Sequence, residues 1–411
     1  MTGTERAAPV RVLMVIRLFF PWLGGTQSQA DRLSRELIRR GLPVRLVTGW
    51  WFRGTPRRET IDGIPVFRNS TLWEFFGVRG LRKFGGYLYI ATLLWHLWRT
   101  RRSYDVIHVH GLSYHTYAAA LAGRWFHRPT IAKIANSGRA SDIDKMRRGD
   151  HLALSRYMLP TALGCDRFVA LNEAVVRELV AAGVPEHRIA RIPNGIEVPP
   201  ARERAAALHD PARVVFVGRL HEQKGVDTLL RAFARLRADR PDATIALRLV
   251  GDGPLRADLE ALARELGVDA EFLGGRDDVD TLLEDADVFV LPSRAEGMSN
   301  ALLEAMTLGL PAIVTNIPGN ADVIRHEENG LLVEPDDPDG LAAAIGRLLD
   351  DGALRGRVGR AGRETVEAEY ALDRVASRYV ALYEELLSER GDTKPRSSSR
   401  RNTARAPSAG V

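Results

Sequence analysis

Residues 214–225 read V-V-F-V-G-R-L-H-E-Q-K-G, an apolar strand pattern that ends in a glycine and a charged loop. The same unit of strand, turn and helical pattern recurs along the whole chain. In the second half the strand patterns lie at 214–218, 245–251, 270–273, 288–292 and 312–315, and in the first half at 11–19, 44–48, 105–110, 130–134 and 168–171. Strands that alternate with helices predict a mostly parallel sheet covered on both faces. We therefore predict an α/β fold with two Rossmann-like domains facing across a cleft.

The 411 residues are enough for two domains of ordinary size. The P-N-G at 193–195 and two further prolines at 199 and 200 mark the predicted boundary between them. We assign an N-terminal, acceptor-binding domain to residues 1–196 and a C-terminal, donor-binding domain to residues 197–371. Residues 389–411 are polar and basic without apolar periodicity, and a disordered tail is expected there.

The charge of the chain divides at the same place. Residues 1–196 carry 30 Lys and Arg against 14 Asp and Glu, whereas residues 197–411 carry 28 against 38. All seven tryptophans lie at or before Trp125. A basic, aromatic-rich half suits an anionic membrane surface or a pyrophosphate-bearing acceptor. Nucleic acid is not an expected partner, because no helix-turn-helix, zinc-finger or RNP pattern accompanies the charge.

The N-terminal residues and the cysteine content indicate the cellular compartment. Residues 1–10 have no apolar core of a signal peptide, and the single cysteine, Cys165, suits a reducing compartment, so a cytoplasmic location is expected. Residues 87–98 are apolar but too short to span a bilayer. Residues 81–102 combine apolar and aromatic side chains with basic ends. Two interpretations stay open for them, a peripheral helix on the inner face of the cell membrane or a core helix with solvated ends.

A second charged motif, R-A-E-G-M-S-N-A-L-L-E, occupies residues 294–304. It places Glu296 and Glu304 on either side of a turn that begins a helix. The cations Arg219 and Lys224 suit a diphosphate, and so does a helix N-terminus, since both favour anions. The two carboxylates suit the hydroxyls of a ribose and a hexose. Together the four side chains indicate a site for a sugar nucleotide.

Four motifs carry a resemblance to a known family: P-N-G at 193–195, G-R-L-x4-K-G from Gly218, G-D-G-P at 251–254 and the E-x7-E of Glu296 and Glu304. In this order they resemble the retaining GT-B glycosyltransferases of the large family 4 type, the glycosyl transferases group 1. The resemblance implies transfer of a hexose from a nucleotide diphosphate sugar to an acceptor hydroxyl, in cell-surface polysaccharide or glycolipid synthesis. It also implies that a last helix, assigned to residues 372–387, packs back on the first domain.

The resemblance assigns roles to individual residues. Glu296 lies near the transferred sugar and stabilises developing positive charge, while Arg219 and Lys224 neutralise the departing diphosphate, so these three are the expected catalytic residues. Glu304 is expected to bind the ribose. The remaining donor-binding residues are expected to be Gly24, Gly25, Gly218, Gly297, Met298, Ser299 and Asn300. The glycines among them let backbone amides approach a phosphate or a sugar.

Candidates on the acceptor side come from two strand patterns of the first half. His108 and His110 share a face of their strand, and His110, nearer its end in the cleft, is the preferred substrate contact. Relatives often carry a histidine after the strand at 130–134, where this chain has Ala135 and Asn136 instead. The departure removes that histidine and makes other polar residues the candidates for contact with substrate: Lys133, Asn136, Ser137 and Asp142. The acceptor is expected to be lipid-linked or a small molecule.

No cofactor is expected beyond the donor, which we expect to be a UDP- or GDP-sugar. Asp285 and Asp287 form a D-x-D, but their place between a helix and a strand is better explained by capping, and no His/Cys cluster offers a metal site. A sugar-nucleotide epimerase on the same fold remains the alternative function. A nicotinamide-dependent oxidoreductase is disfavoured because L-G-G-T-Q-S-Q at 23–29 lacks G-x-G-x-x-G. The intact charged motifs argue against a catalytically silent binding module.

Overall fold

The computed structural model describes residues 8–22, 24–71, 82–136, 138, 141–150, 152–201, 204 and 207–392. Within this part the chain forms two separate sheets, each covered by helices. The predicted α/β fold of two Rossmann-like domains is confirmed. Ser137 and the tail beyond residue 392 lie outside the described residues.

The first sheet is built from residues 12–191. Its strands are β1 (Val12–Ile16), β2 (Val44–Trp50), β3 (Arg58–Ile61), β4 (Ile64–Ser70), β5 (Val106–His110), β6 (Thr130–Ile134), β7 (Arg167–Ala170) and β8 (Ile189–Arg191). The helices of this half are α1 (Gly25–Arg39), α2 (Arg82–Thr100), α3 (Tyr114–Phe126), α4 (Asp142–Arg148), α5 (Ser155–Ala162) and α6 (Glu173–Ala181). The strand order is β3-β4-β2-β1-β5-β6-β7-β8, and every pair except the β3–β4 hairpin is parallel.

The second sheet has six parallel strands in the order β11-β10-β9-β12-β13-β14. They are β9 (Ala212–Val217), β10 (Ile245–Val250), β11 (Ala270–Gly274), β12 (Val288–Leu291), β13 (Ala312–Thr315) and β14 (Leu331–Val333). Its helices are α7 (Val226–Asp239), α8 (Arg256–Glu265), α9 (Val279–Glu284), α10 (Asn300–Thr307), α11 (Pro318–Ala321), α12 (Pro338–Asp350) and α13 (Gly352–Thr365). In both sheets the parallel strands point the same way, so the loops after them gather at one edge, where open α/β sheets bind ligands.

Helix α1 shows how local pattern and burial agree. Ala30, Leu33 and Leu37 recur at helical spacing and are buried against the first sheet. Each leucine buried in this way stabilises the fold by about 1.5–3 kcal/mol. The helix ends before Gly41, whose φ of +85° is a left-handed conformation that glycine adopts without strain.

The last helix, α14 (Leu372–Asp392), belongs to the core of the first half. Its residues Val375, Tyr379 and Tyr383 are buried in one cluster with β1, β2 and α1. The prediction that a disordered tail begins at residue 389 is wrong for residues 389–392, which continue the helix. Ion pairs explain the extension, because Glu389 pairs with Arg167 at 2.5 Å and Arg390 pairs with Asp166 at 2.6 Å.

Helix α2 covers most of the stretch with two open interpretations. Tyr89, Leu93 and Leu97 are fully buried on one face, whereas Phe84 and Trp95 on the other face are 64% and 60% exposed. The helix is therefore a core helix that also presents aromatic side chains to solvent. Among the described residues, no helix has both the length and the apolar character needed to cross a bilayer. Residue 81 and the side chains of residues 82 and 83 lie outside the described part.

Candidate active site

The loop after β9 carries the first charged motif. Gly218 follows β9, Arg219 is exposed, and Lys224 lies in a short 3₁₀ helix, Glu222–Lys224. Among the described residues Arg219 has no ion-pair partner, so its guanidinium is available to an anion. The motif thus places one exposed cation and one half-buried cation at the edge of the second sheet.

The G-D-G-P motif packs directly against this loop. A Cβ on Gly251 would lie 2.0 Å from the carbonyl oxygen of Gly218, and Gly251 has a φ of +130°. The amide of Leu220 donates to the carbonyl oxygen of Asp252 at 3.0 Å. Glycine at 251 is therefore required by space and by backbone conformation. The motif supports the Arg219 loop from beneath.

The second charged motif meets the first, although about seventy residues of chain separate them. The amide of Arg294 donates to the carbonyl oxygen of Gln223 at 2.7 Å. Lys224 Nζ forms a short ion pair with Glu296 Oε1, which also accepts from Ser293 Oγ at 2.7 Å. The structure therefore joins two predicted catalytic residues as partners. The sequence pattern alone predicts only that Lys224 and Glu296 lie in one site.

The turn before α10 presents backbone amides and is capped by Ser299. The Ser299 hydroxyl accepts from the amide of Leu302 at 3.4 Å, and Met298 is buried beneath the turn. Gly297 lies so close to the first half that a Cβ on it would come within 1.6 Å of the carbonyl oxygen of Ala135. Asn172 Nδ2 donates to the Gly297 carbonyl at 2.6 Å. The predicted donor turn is therefore also a contact between the two halves.

Asn300 has its side chain committed to the same contact. Its Oδ1 accepts from Gln29 Nε2 at 3.1 Å and from Asn194 Nδ2 at 3.0 Å, while its Nδ2 donates to the Gly25 carbonyl at 3.1 Å. Gln29 is fixed in turn by two hydrogen bonds to the backbone of Gly195, at 2.9 and 3.0 Å. In this arrangement the backbone amide of Asn300 and the second hydrogen of its Nδ2 remain for the donor. Gly24 precedes α1 on the opposite side of the contact.

Glu304 lies near the middle of α10, and its partner is a residue from the other half. Arg32 Nη2 of α1 donates to Glu304 Oε1 at 2.6 Å, and the two side chains are 20% and 19% exposed. No sequence pattern indicated Arg32 or Gln29, because a polar residue on a surface helix is ordinary. The sequence indicates Asn194 only as part of the P-N-G motif at the boundary.

His110 does not open onto the cleft, and that part of the prediction is wrong. It is 2% exposed and stacks on His108 at 4.5 Å, and His108 Nδ1 lies 2.7 Å from the Tyr383 hydroxyl of α14. The physical reason is that the last helix covers this face of β5. Burial lowers the pKa of His108 to about 3 and lowers the pKa of His110 well below its ordinary value. Both rings are therefore neutral at physiological pH.

Lys133 belongs to the same buried face. Its Nζ lies 5.8 Å from the centre of the Tyr379 ring, and burial lowers its pKa to about 7. Asn136 and Asp142 lie nearer the loop end and bond to each other, Nδ2 to Oδ1, at 3.0 Å. Burial raises the pKa of Asp142 above its ordinary value. Contact of these residues with substrate stays a prediction.

Between the halves, beside Glu296, lies a cavity of about 410 Å³. Its walls come from both halves, with Gly138, Arg177 and Glu178 on one side and Arg294, Ile317 and Pro318 on the other. Glu178 holds the loop before α4 by accepting from Gly138 N at 2.5 Å and Ser141 Oγ at 2.7 Å. Glu296 therefore borders open space between the halves.

The D-x-D has structural partners. Asp287 Oδ2 accepts from the amide of Arg213 at 2.7 Å, and its Oδ1 lies 3.0 Å from His209 Nδ1. Asp285 pairs with Arg213 and with Arg248, the latter at 2.9 Å. The two carboxylates thus tie β12 to β9 and β10 at the edge of the sheet away from the charged loops.

Two family models match the chain. The model for Glycosyltransferase Family 4 matches residues 23–199, and the model for glycosyl transferases group 1 matches residues 211–351. The matches fall on the two halves that the structure shows as separate sheets.

Known proteins resemble nearly the whole chain. It is 31% identical over 404 residues to the D-inositol 3-phosphate glycosyltransferase of Acidothermus cellulolyticus, over 89% of this chain and 87% of that protein. Sucrose-phosphate synthase from Thermosynechococcus elongatus has a similar structure, with a TM-score of 0.74 at 21% identity over 92% of this chain and 100% of that chain. Anabaena HepE in complex with UDP-glucose gives a TM-score of 0.71 at 18% identity over 92% and 99%. The chain belongs to the group 1, family 4 type glycosyltransferases and has their GT-B fold.

Proposed function

We propose that this glycosyltransferase moves a hexose, with retention of anomeric configuration, from a nucleotide diphosphate sugar to an acceptor hydroxyl. The observation that carries the proposal is the junction of the two charged motifs, where Lys224 pairs with Glu296 beside the exposed Arg219. A site with two cations next to a carboxylate and a capped helix N-terminus suits a diphosphate joined to a sugar. A UDP- or GDP-sugar is the proposed donor, and no further cofactor is proposed.

In the proposed reaction the bond between the anomeric carbon and a phosphate oxygen breaks, and negative charge grows on the departing diphosphate. In this proposal Arg219 and Lys224 stabilise that charge as fixed cations. The bond to the acceptor oxygen forms on the same face of the sugar, and the acceptor proton passes to the departing phosphate. This route needs no carboxylate nucleophile, and it suits a Glu296 already engaged by Lys224 and Ser293.

The proposed contacts of the rest of the donor are with Glu304, the turn before α10 and the turn before α1. Glu304 is proposed to accept hydrogen bonds from the ribose hydroxyls, with the amides of residues 297–300 and the turn at Gly24 and Gly25 facing the phosphates or the sugar. Gly218, which directly precedes Arg219, is also proposed to contact the donor. The cavity next to Glu296, with walls from both halves, offers room for a second sugar or for the transferred one.

We propose a lipid-linked or small-molecule acceptor, used in cell-surface polysaccharide or glycolipid synthesis, with the enzyme held peripherally at the inner face of the cell membrane. The basic balance of residues 1–196 and the exposed aromatic side chains of α2 support this. The related D-inositol 3-phosphate glycosyltransferase is named for a small phosphorylated acceptor. Such an acceptor would also suit a basic half, so the two acceptor classes are separated by experiment.

The test is a panel of UDP-, GDP- and ADP-sugars, screened by the rise in melting temperature that binding to the folded protein produces. The sugar nucleotide that stabilises the protein is then incubated with the enzyme and an acceptor from either of the two classes, and the anomeric proton of the product is read by NMR. An α-linked product from an α-linked donor supports a retaining transfer, and an inverted product contradicts it. Conversion of the donor into an epimer without any acceptor would favour the epimerase instead.

A further inference from the structure

The ion pair between Arg32 and Glu304 joins the two halves at the carboxylate that is proposed to bind the ribose. Arg32 lies in α1 of the first half, and Glu304 lies in α10 of the second. The pair has one hydrogen bond, from Nη2 to Oε1, and both side chains are mostly buried. A carboxylate in such a place is held in one orientation, whereas an unpaired glutamate would sample several rotamers.

The pair exists only while the halves stay in this arrangement. The side-chain hydrogen bonds of Asn300 with Gln29 of α1 and with Asn194, between the halves, join the same parts of the molecule. They would break together with the ion pair if the halves separated. The ion pair is also incompletely satisfied. Arg32 Nη1 is buried and has no hydrogen-bond partner in the described part of the chain. An unpaired buried donor is unfavourable, so the pair holds the halves together less tightly than a fully satisfied pair would.

We propose that Arg32 is a positioning residue for Glu304 and links binding of the donor nucleotide to closure of the two halves. The proposal rests on the proposed function, in which Glu304 binds the ribose. Arg32 engages Oε1 and leaves Oε2 for the ribose hydroxyls, so the cost of orienting the carboxylate is met before the ligand arrives. Arg32 reaches Glu304 only while the halves are in contact, an arrangement that we call closed. A nucleotide that needs the oriented carboxylate therefore binds the closed arrangement more tightly than an arrangement with separated halves.

The test compares Arg32→Gln and Arg32→Lys with the unaltered enzyme, using the nucleoside diphosphate identified by the panel and isothermal calorimetry. Arg32→Gln should weaken binding by about five- to thirtyfold, the range expected for directly coupled side chains. Arg32→Lys should recover part of the loss. In steady-state kinetics the donor KM should rise while kcat changes little, because Arg32 acts on binding and not on the departing charge.

Arg35→Gln is the matched control. Arg35 lies one turn further along α1 and pairs with Asp31 of the same helix at 2.9 Å. The substitution therefore removes a similar ion pair that does not cross between the halves. It should leave the nucleotide affinity unchanged. Melting temperatures of all variants report whether they are folded.

A second arm separates this inference from the proposed function. In a Glu304→Gln background, Arg32→Gln should produce no further loss, since its effect passes through the carboxylate. An equal loss in both backgrounds, or an Arg32→Gln enzyme that binds like the unaltered one, overturns the positioning role and leaves the ribose role of Glu304 intact. Unchanged affinity in Glu304→Gln alone overturns the ribose role and this inference with it.

Discussion

Gly297 of the second half lies against the backbone carbonyl of Ala135 in the first half, a residue that stands where the family resemblance leads one to expect a histidine. A Cβ at residue 297 would come within 1.6 Å of that oxygen, so the closed arrangement has no room for any side chain there. The glycine of the E-G-M-S-N turn is therefore explained by the contact between the halves.

Gly297→Ala should keep both halves folded and force them apart. We expect turnover to fall by about tenfold, because overpacking of this kind costs about 1–3 kcal/mol. Gly352→Ala, at the exposed start of α13 with only the end of an arginine side chain 3.5 Å away, is the control. Steady-state kinetics with the identified donor measure the effect. Normal turnover in a folded Gly297→Ala enzyme would show that closure at this point is not needed.

Arg219→Ala should reduce turnover by roughly a hundredfold, and Lys224→Ala should do the same, as expected when a fixed charge opposite a developing anion is lost. Binding of the free nucleoside, which has no diphosphate, should change far less in either variant. Arg231→Ala, an exposed cation on α7 of the same half, should behave as the unaltered enzyme. If Arg219→Ala turns over at a near-normal rate, its guanidinium is only surface charge.

Lys133 predicts a dependence of stability on pH. Its pKa in the folded protein, about 7, lies below its ordinary value of 10.5 because of burial. Between these values the unfolded chain binds more protons, so the free energy of unfolding rises with pH through this window. The facing His108 and His110 have lowered pKa values and stay neutral there.

Lys133→Met should therefore stabilise the protein at pH 6 by at least about 1 kcal/mol, and the advantage should shrink as the pH rises towards 10. Urea unfolding of both proteins at several pH values measures the difference. Taking the difference cancels the titration of other groups. If the difference in unfolding free energy between the two proteins stays constant from pH 6 to 10, the buried position does not lower the pKa of Lys133.

The exposed aromatic side chains of α2 predict binding to anionic lipid. Trp95 and Trp98 lie 4.8 Å apart, and Arg101 lies over the Trp98 ring at 5.2 Å, which puts an aromatic pair beside a cation. The protein should cosediment with anionic vesicles at low salt and be released at high salt, because each basic residue near such a surface contributes about 1 kcal/mol.

Replacing both tryptophans by serine should weaken this binding, whereas Val180→Ser, at an exposed apolar side chain of α6, should not. The comparison is made at equal protein concentration with anionic and neutral vesicles. Equal sedimentation of the tryptophan variant and the unaltered protein would place lipid contact elsewhere. Failure of the unaltered protein to sediment at all would favour a soluble acceptor.

The sequence by itself determined the fold class and the two charged motifs. Strand patterns such as 214–218 and 288–292 depend on local spacing of apolar residues, and a parallel sheet then brings the loops after them to one edge. Arg219, Lys224 and Glu296 could be singled out because each follows a strand at a motif position. These inferences need only neighbouring residues and the direction of the strands.

Tertiary structure alone decided which side chains are partners and which are covered. Arg32 and Glu304 are 272 positions apart, and their contact depends on how one half lies against the other. The strand pattern predicts that His110 faces the cleft, but α14, from the far end of the chain, covers that face of β5 with Tyr379 and Tyr383. Periodicity reports which face of a strand a residue occupies. It cannot report which distant helix buries that face, because that is fixed by packing across the whole molecule.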